Sequence, residues 1–224
     1  MSQNAKGASG AQSARERILG RIREANRERE PVAHPGPLPE TAEPPWAVGY
    51  EGVADPIEAF ESRLRDAGGE VVRLADEAAA LTWLVDFASE FESVSVCAGV
   101  PDALQPALPA APPSEATLGV SMAVGAAAQT GSLVLSSREG RRPQLLPPVH
   151  LVWVRARDVR ATLGDALQAC REDLPATLAL HSGPSKSADI GQILVTGVHG
   201  PGRIIAAIVG DPLAKQRGET ETEL

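Results

Sequence analysis

Aromatic residues are scarce in this 224-residue chain, at 3% of positions. Its core must therefore be built from Ala, Val, Leu and Ile, and side chains of that size suit a parallel sheet covered by helices. Cysteine is scarcer still. Cys97 and Cys170 lie far apart and form no CxxC pair. Two thiols cannot supply the four thiolates of an iron–sulfur cluster or of an all-cysteine zinc site. No iron–sulfur cluster is therefore expected on this chain; other cofactors stay open, and each cysteine reads as a buried free thiol. No segment approaches the ~20 consecutive apolar residues of a membrane span. No apolar stretch follows Lys6, so no signal peptide is expected and the protein is placed in the cytoplasm. A concentrated basic face is also missing. The net charge is -8, and arginine is dispersed apart from the N-terminal segment and Arg138, Arg141 and Arg142. Nucleic acid is not an expected partner.

What is present is ordinary for a globular protein: 43% hydrophobic and 22% charged residues, enough to bury one sizeable core. Residues 1–45 read as a tail, a helix and a Pro-rich linker, and residues 46–224 as one α/β domain. Ala14 to Glu30 carries a narrow apolar stripe of Ile18, Leu19, Ile22 and Ala25 at helical spacing. That helix either docks on its own domain or packs on another subunit. Six prolines between Pro31 and Pro45 make an extended linker, so a homo-oligomer built through this arm is geometrically possible.

Asp55-Pro56 is a helix start, with a capping carboxylate followed by proline. The spacing predicts a helix over Ile57, Phe60 and Leu64, a strand over Glu70–Leu74, a helix over Asp76–Phe91 and a buried strand over Val94–Ala98. This alternation predicts a parallel sheet with right-handed crossovers. The Pro- and Ala-rich run from Pro101 to Pro113 either borders a cleft or is a surface connection. Strands are expected over Leu118–Gly125 (a strand or an edge segment), Ser132–Ser136, His150–Arg155, Thr177–His181 and Ile204–Val209. Helices are expected over Val159–Cys170, capped by Asp158, and from about Ser187.

Four segments carry candidate chemistry. Ser182 to Ile190, Ser-Gly-Pro-Ser-Lys-Ser-Ala-Asp-Ile, is placed between a strand and a helix, at the carboxyl end of a strand, where ligands gather in open α/β sheets. Gly183 permits close backbone approach. Helix N-terminal amides, the Ser185 and Ser187 hydroxyls and Lys186 would receive a phosphate or carboxylate. The same segment also reads as a capped helix, with Asp189 at the positive end of the dipole. Thr196 to Gly202 is a tight turn that presents His199 either for acid/base work or merely hydrogen-bonded. Ala128-Gln129-Thr130-Gly131-Ser132 is a small polar turn before an apolar strand, against a ligand or simply a loop. Arg138, Arg141 and Arg142 suit a bidentate grip on a carboxylate or phosphate, or are only solvated. His150, His181 and His199 match no zinc-ligand spacing, so no metal is expected, and no GxSxG elbow exposes a nucleophilic serine.

Taken in order, Ala128-Gln129-Thr130-Gly131-Ser132, Val149-His150-Leu151-Val152, Ser182 through Ile190 and Gly197-Val198-His199-Gly200-Pro201 resemble the LUD-domain family, in its lactate utilization protein C branch. The resemblance runs from about Val94 to Asp211. It implies a three-layer α/β/α sandwich with a mostly parallel sheet, similar to the NagB/RpiA/CoA-transferase fold, here with an N-terminal helical arm. It implies an accessory role in oxidising L-lactate to pyruvate beside iron–sulfur subunits, with a small anionic ligand or a partner bound here. The signature positions it marks are Thr130, Gly131, Ser182, Gly183, Pro184, Ser185, Lys186, Asp189, His199, Gly200 and Pro201. His199 is the candidate catalytic residue. Thr130, Gly131, Arg138, Arg142, Ser182, Gly183, Ser185, Lys186 and Asp189 are the candidate ligand-binding set. Gln129 stands where relatives commonly carry glutamate. Two other functions stay open: a stand-alone acyl-CoA or folate-type transferase or ligase, which needs a catalytic carboxylate, and a regulatory or scaffold protein.

Overall fold

The computed structural model describes residues 14–27, 55–189 and 193–210. The expected N-terminal tail, the Pro-rich linker and the boundary near residue 45 lie outside the described residues. Contacts divide the chain between residues 48 and 49. Helix α1 (Ala14–Arg27) belongs to the first unit, and every other described element belongs to the second.

The second unit opens with α2 (Pro56–Asp66), capped as its sequence predicts. The Asp55 carboxylate accepts from the Ile57 and Glu58 amides at 2.8 and 3.2 Å, satisfying donors that the helix itself cannot. Then come β1 (Glu70–Leu74), α3 (Glu77–Ala88), β2 (Val94–Val96), β3 (Leu118–Met122), β4 (Gly125–Ala127), β5 (Ser132–Ser136) and α4 (Arg142–Leu145). They are followed by β6 (Val149–Arg155), β7 (Val159–Arg160), α5 (Leu163–Gln168), β8 (Leu178–His181), β9 (Lys186–Asp189), β10 (Ile193–Thr196) and β11 (Arg203–Val209).

The strands β1-β11-β6-β3-β2, in that spatial order, form a wholly parallel sheet. Side-chain alternation along its strands makes two cores. Leu151 and Trp153 of β6, with Ile205 and Ala207 of β11, pack under Ala80, Leu84 and Phe87 of α3. Val152 and Val154, with Ile204, Ala206 and Ile208, face the opposite way. That second face is covered by Phe60 and Leu64 of α2 together with a second sheet, β7-β4-β5-β8. A small third cluster of Ala127, Val134, Ala166 and Cys170 lies on the outer face of the second sheet, under α5. The mostly parallel α/β architecture expected from the sequence is therefore present. One of its covering layers is shared between a helix and a sheet.

Several expected elements are corrected. The single strand over Leu118–Gly125 is two strands: β3 lies inside the parallel sheet between β2 and β6, and the chain then crosses to β4 in the second sheet. The expected helix over Val159–Cys170 begins as β7 beside β4; α5 starts at Leu163, and its cap is Thr162 rather than Asp158, accepting from the Asp165 amide at 3.1 Å. The largest correction is at Ser187. No helix starts there. Lys186–Asp189 pairs antiparallel with Ile193–Thr196 as a β-hairpin. The run Ile-Leu-Val-Thr, with three β-branched residues of four, favours a strand, and pairing with it consumes the ladder groups that a helix would have used.

Candidate functional site

The sequence-predicted residues fall into two groups at opposite ends of the molecule. Ser182 does follow the carboxyl end of a strand, β8, but β8 lies in the second sheet. Relative to the parallel sheet, the segment sits at the amino end. The Ser185 amide donates to the Pro201 carbonyl at 2.9 Å, and the Gly202 amide donates to the Pro148 carbonyl at 2.9 Å. Pro148 and Gly202 immediately precede β6 and β11. The expected placement at the ligand-binding end of an open sheet is thus reversed.

This amino-end group is tightly tied. The Thr130, Ser132 and Ser182 hydroxyls form a chain, with Oγ1···Oγ and Oγ···Oγ separations of 2.6 Å each. Gly131 (φ +62°) and Gly183 (φ +124°) press against α2: a Cβ would stand 2.6 Å from the Leu64 nitrogen at Gly131 and 2.9 Å from the Ala67 carbonyl oxygen at Gly183. The Lys186 ammonium also donates to that Ala67 carbonyl, at the C-cap of α2. A cation there complements the negative end of the helix dipole. With no helix following Ser185, there are no helix N-terminal amides to receive an anion. Asp189 lies in β9 opposite Ile193. His199 is on the exposed turn between β10 and β11, and Thr130, Ser182 and Lys186 are exposed as well.

Gln129 has a structural task. Its Oε1 accepts from the Leu163 amide at 3.3 Å, at the first turn of α5. Its backbone N–H donates to the Ala161 carbonyl at 2.9 Å. A glutamate would accept the same bond, so this contact needs an acceptor oxygen and no titrating group.

Arg138 lies at the other end. β5 is five residues long, so its two ends are roughly 13 Å apart at the usual strand rise. Thr130 and Ser132 mark one end, and Ser136 and Arg138 the other. Arg138 sits in a single 3-10 turn after β5, where a guanidinium N–H donates to the Leu174 carbonyl at 3.0 Å. Arg142 opens α4 and is exposed. The structure therefore does not bring Arg138 together with Ser182 and Lys186.

Two clefts lie near this end, one at the parallel sheet and one beside the second sheet and α5. One, of about 270 Å³, lies between Met122, Arg155 and Val209 at the ends of β3, β6 and β11, and is bordered by Glu77, Pro101 and Leu104. The run after Pro101 thus borders a cleft. The Trp153 indole N–H holds that run by donating to the Leu104 carbonyl at 3.1 Å. The second cleft, of about 240 Å³, is lined by Val124, Ser136, Arg138, Glu139, Cys170 and Leu178, among others.

Glu139 is the residue that sequence reasoning passed over. Burial pushes its carboxyl above the usual carboxylate range, and a hydrogen bond from the Met122 backbone opposes this. Its Oε2 is enclosed and meets no donor among the described residues. The signal was the charged pair directly after the apolar strand β5, of which only Arg138 was taken. The Cys97 thiol nearby is pushed up to about 12, mainly by burial and then by the charge of Glu139, against a hydrogen bond from Gln144. A thiol so far above neutral pH is not a nucleophile or a metal ligand in waiting.

Beside the amino-end group, His150 and His181 meet edge to face with ring centroids 5.6 Å apart. His150 Nε2 is 2.8 Å from the Ser121 hydroxyl. The Nδ1 atoms of both rings are enclosed and meet no partner among the described residues. Burial, and then the neighbouring His181, pushes His150 down to about 3; burial also lowers His181. The pair is therefore held neutral.

Known proteins share this arrangement of segments. Residues 114–209 match the LUD domain. The match runs from just before β3 to the end of β11, so it contains the amino-end group and the lining of the second cleft, while Glu77, Pro101, Leu104 and Gly210 of the first cleft lie outside it. The parts of α2 against which Gly131, Gly183 and Lys186 rest lie outside it. Lactate utilization protein C 1 of Bacillus mycoides (strain KBAB4) is 36% identical over 104 residues, covering 43% of this chain and 44% of that protein. Lactate utilization protein C of Bacillus subtilis (strain 168) is 30% identical over 105 residues, again 43% and 44%. The aligned part spans less than half the length of either relative. A crystal structure of a DUF162 family protein from Deinococcus radiodurans shares the fold, with a TM-score of 0.54 at 21% identity, over 70% of this chain and 98% of that one. The LUD resemblance drawn from the motifs is borne out over the matched segment. No helix among the described residues is long and apolar enough to cross a membrane.

Proposed function

We propose that the protein is an accessory subunit of an iron–sulfur system that oxidises L-lactate to pyruvate in the cytoplasm. The observation that carries this reading is the LUD match over residues 114–209, with lactate utilization proteins C aligned to the chain at 30–37% identity. The cysteine chemistry supports it: both thiols are buried, and Cys97 resists deprotonation. Cluster-bearing, electron-carrying subunits are then partners of this chain.

The amino-end group is the surface we assign to such a partner. Thr130, Ser182, Lys186 and His199 are exposed there, and Val198 is 51% exposed beside His199. Hydrogen bonds between Ser185, Pro201 and Gly197 fix the backbone that displays them. A rigid, mixed polar and apolar display suits a protein partner, whose contact surfaces combine apolar centres with polar rims. Deleting the gene, in a strain without a paralogue, is expected to abolish growth on L-lactate as sole carbon source, and the intact gene restores it. Undiminished growth of the deletion strain would overturn the proposal.

A further inference from the structure

We infer that the apolar groove beside α3 is a dimerisation site, and that its occupant is helix α1 of a second copy of this chain. The inference stands independently of the lactate-oxidation reading.

The groove has one helical wall and one braced loop wall. Leu81, Leu84, Val85 and Ala88 recur at helical spacing along α3, and residues 103–108 stand opposite, enclosing about 340 Å³. Val85 is 72% exposed and Leu81 39%, so the apolar wall is open rather than filled. Exposed apolar patches of this kind mark contact sites. The loop wall is held in place. The Gln105 side-chain amide donates to the Val100 carbonyl at 3.1 Å. The Val94 amide donates to the Pro109 carbonyl at 3.0 Å, and the Ala111 amide returns a bond to the Val94 carbonyl at 2.9 Å. A groove fixed on both sides suits an amphipathic helix that lays its apolar stripe along it.

Helix α1 has the matching surface. Ile18, Leu19 and Ile22 form its stripe, and Ile18 and Ile22 are 59% and 50% exposed. A lone helix of this length is marginal in water, so its stripe gains from a covering surface. At the usual helical rise α1 and α3 are both roughly 20 Å long.

Charge selects the pairing. α1 carries five arginines against two glutamates. Between Arg73 and Arg138 the chain carries seven carboxylates and no Lys, Arg or His. Arg203 engages one of them, Glu90. At the groove, exposed Asp86 adjoins Val85 and exposed Asp102 adjoins Ala103, one carboxylate beside each wall. On α1, Arg21 and Arg23 adjoin Ile22, one on either flank of the stripe. Apolar contact along the centre with opposite charges along the rims is the pattern of a specific interface.

The linker favours a neighbouring molecule over the same one. It ends at Asp55, the cap of α2, and α2 covers the face of the parallel sheet opposite to α3. Residues 28–54 contain six prolines, and such a sequence is stiff and extended, reaching roughly 80 Å. A stiff connection that starts on the α2 face reaches another molecule more readily than it bends around the sheet. Reciprocal exchange of α1 then fills both grooves of a two-fold dimer.

Light scattering on the size-separated full chain tests this. A dimer is expected. Val85→Asp and Ile22→Asp are each expected to raise its dissociation constant by at least about tenfold, since each puts an unpaired carboxylate into the apolar contact. Both positions are exposed, and circular dichroism of the variants checks that the domain still folds. A double variant, Ile22→Cys with Val85→Cys, reports which copy supplies the helix. Mild oxidation is expected to give a covalent dimer; the native Cys97 and Cys170 are buried. A monomeric chain, a dimer indifferent to both Asp substitutions, or a double-cysteine variant that closes within a single chain would each overturn the inference. None of these outcomes bears on whether the chain joins iron–sulfur partners.

Discussion

At Gly131 the backbone takes φ +62° and passes so close to α2 that a Cβ would stand 2.6 Å from the Leu64 nitrogen. Gly131→Ala adds both backbone strain and a collision with main chain. It is expected to destabilise the protein by more than about 1 kcal/mol, measured as a lower urea midpoint. A second residue-scale expectation concerns pH. The folded chain holds His150 near 3 and His181 below the ordinary histidine value of 6.5. The unfolded chain protonates both near that ordinary value. Below 6.5 the unfolded state therefore binds more protons, and stability falls as pH drops toward the folded values. The loss approaches about 1.4 kcal/mol per pH unit for each fully shifted histidine. Glu139 acts with the opposite sign. Its folded pKa lies above the ordinary 4.5, so it adds stability as pH falls through that folded value toward 4.5. Urea unfolding at a series of pH values is expected to show the acid-side loss, steeper in Glu139→Gln and shallower in His150→Gln. A flat profile between neutral pH and 4.5 in the Glu139→Gln protein would contradict the neutral histidine pair.

Individual elements show what local sequence determines and what it does not. The start of α2 is written in Asp55-Pro56, and α3 in Asp76, whose carboxylate accepts from the Ala79 amide at 2.9 Å. Asp76→Ala is expected to cost about 0.5–2 kcal/mol, read as a lower thermal midpoint. The parallel strands were legible because β6 and β11 are short apolar runs buried on both faces. The hairpin β9–β10 was not. Ser185 to Asp189 is polar and capping-rich, and only its pairing with Ile193–Thr196 decides for strand. Nor does local pattern show that the chain changes sheets between Met122 and Gly125, since both strands are equally apolar. The fate of Lys186 followed from the same limit. Read as an anion ligand, it instead donates to the Ala67 carbonyl beyond α2. Lys186→Met is expected to lower stability by about 0.3–1 kcal/mol through the loss of that helix-end charge, measured by chemical denaturation.

For the whole molecule, the sheet has two differently equipped ends. Residues that are neighbours in sequence patterns, such as Thr130 and Arg138, are separated by the length of β5. Residues far apart in sequence, such as Ser132 and Ser182, touch at 2.6 Å. Composition and element order sufficed for the α/β class and the mostly parallel sheet. The division of the candidate site depends on which end of each strand a loop leaves from, and a linear pattern does not carry that. Glu139 escaped notice for a related reason: its enclosure comes from Gly99 and Met122, on β2's outgoing loop and β3. The amino end displays the motif surface, and a double substitution there, Val198→Asp with His199→Ala, is expected to abolish partner capture without moving the thermal midpoint. The central claim is that this chain works beside iron–sulfur subunits. Its most direct test is affinity capture of the tagged full-length protein from its own organism grown on L-lactate, with co-purifying proteins identified by mass spectrometry. Recovery of iron–sulfur proteins in near-equal amounts is the expected result; recovery of the chain alone, under conditions that keep other complexes intact, would contradict it.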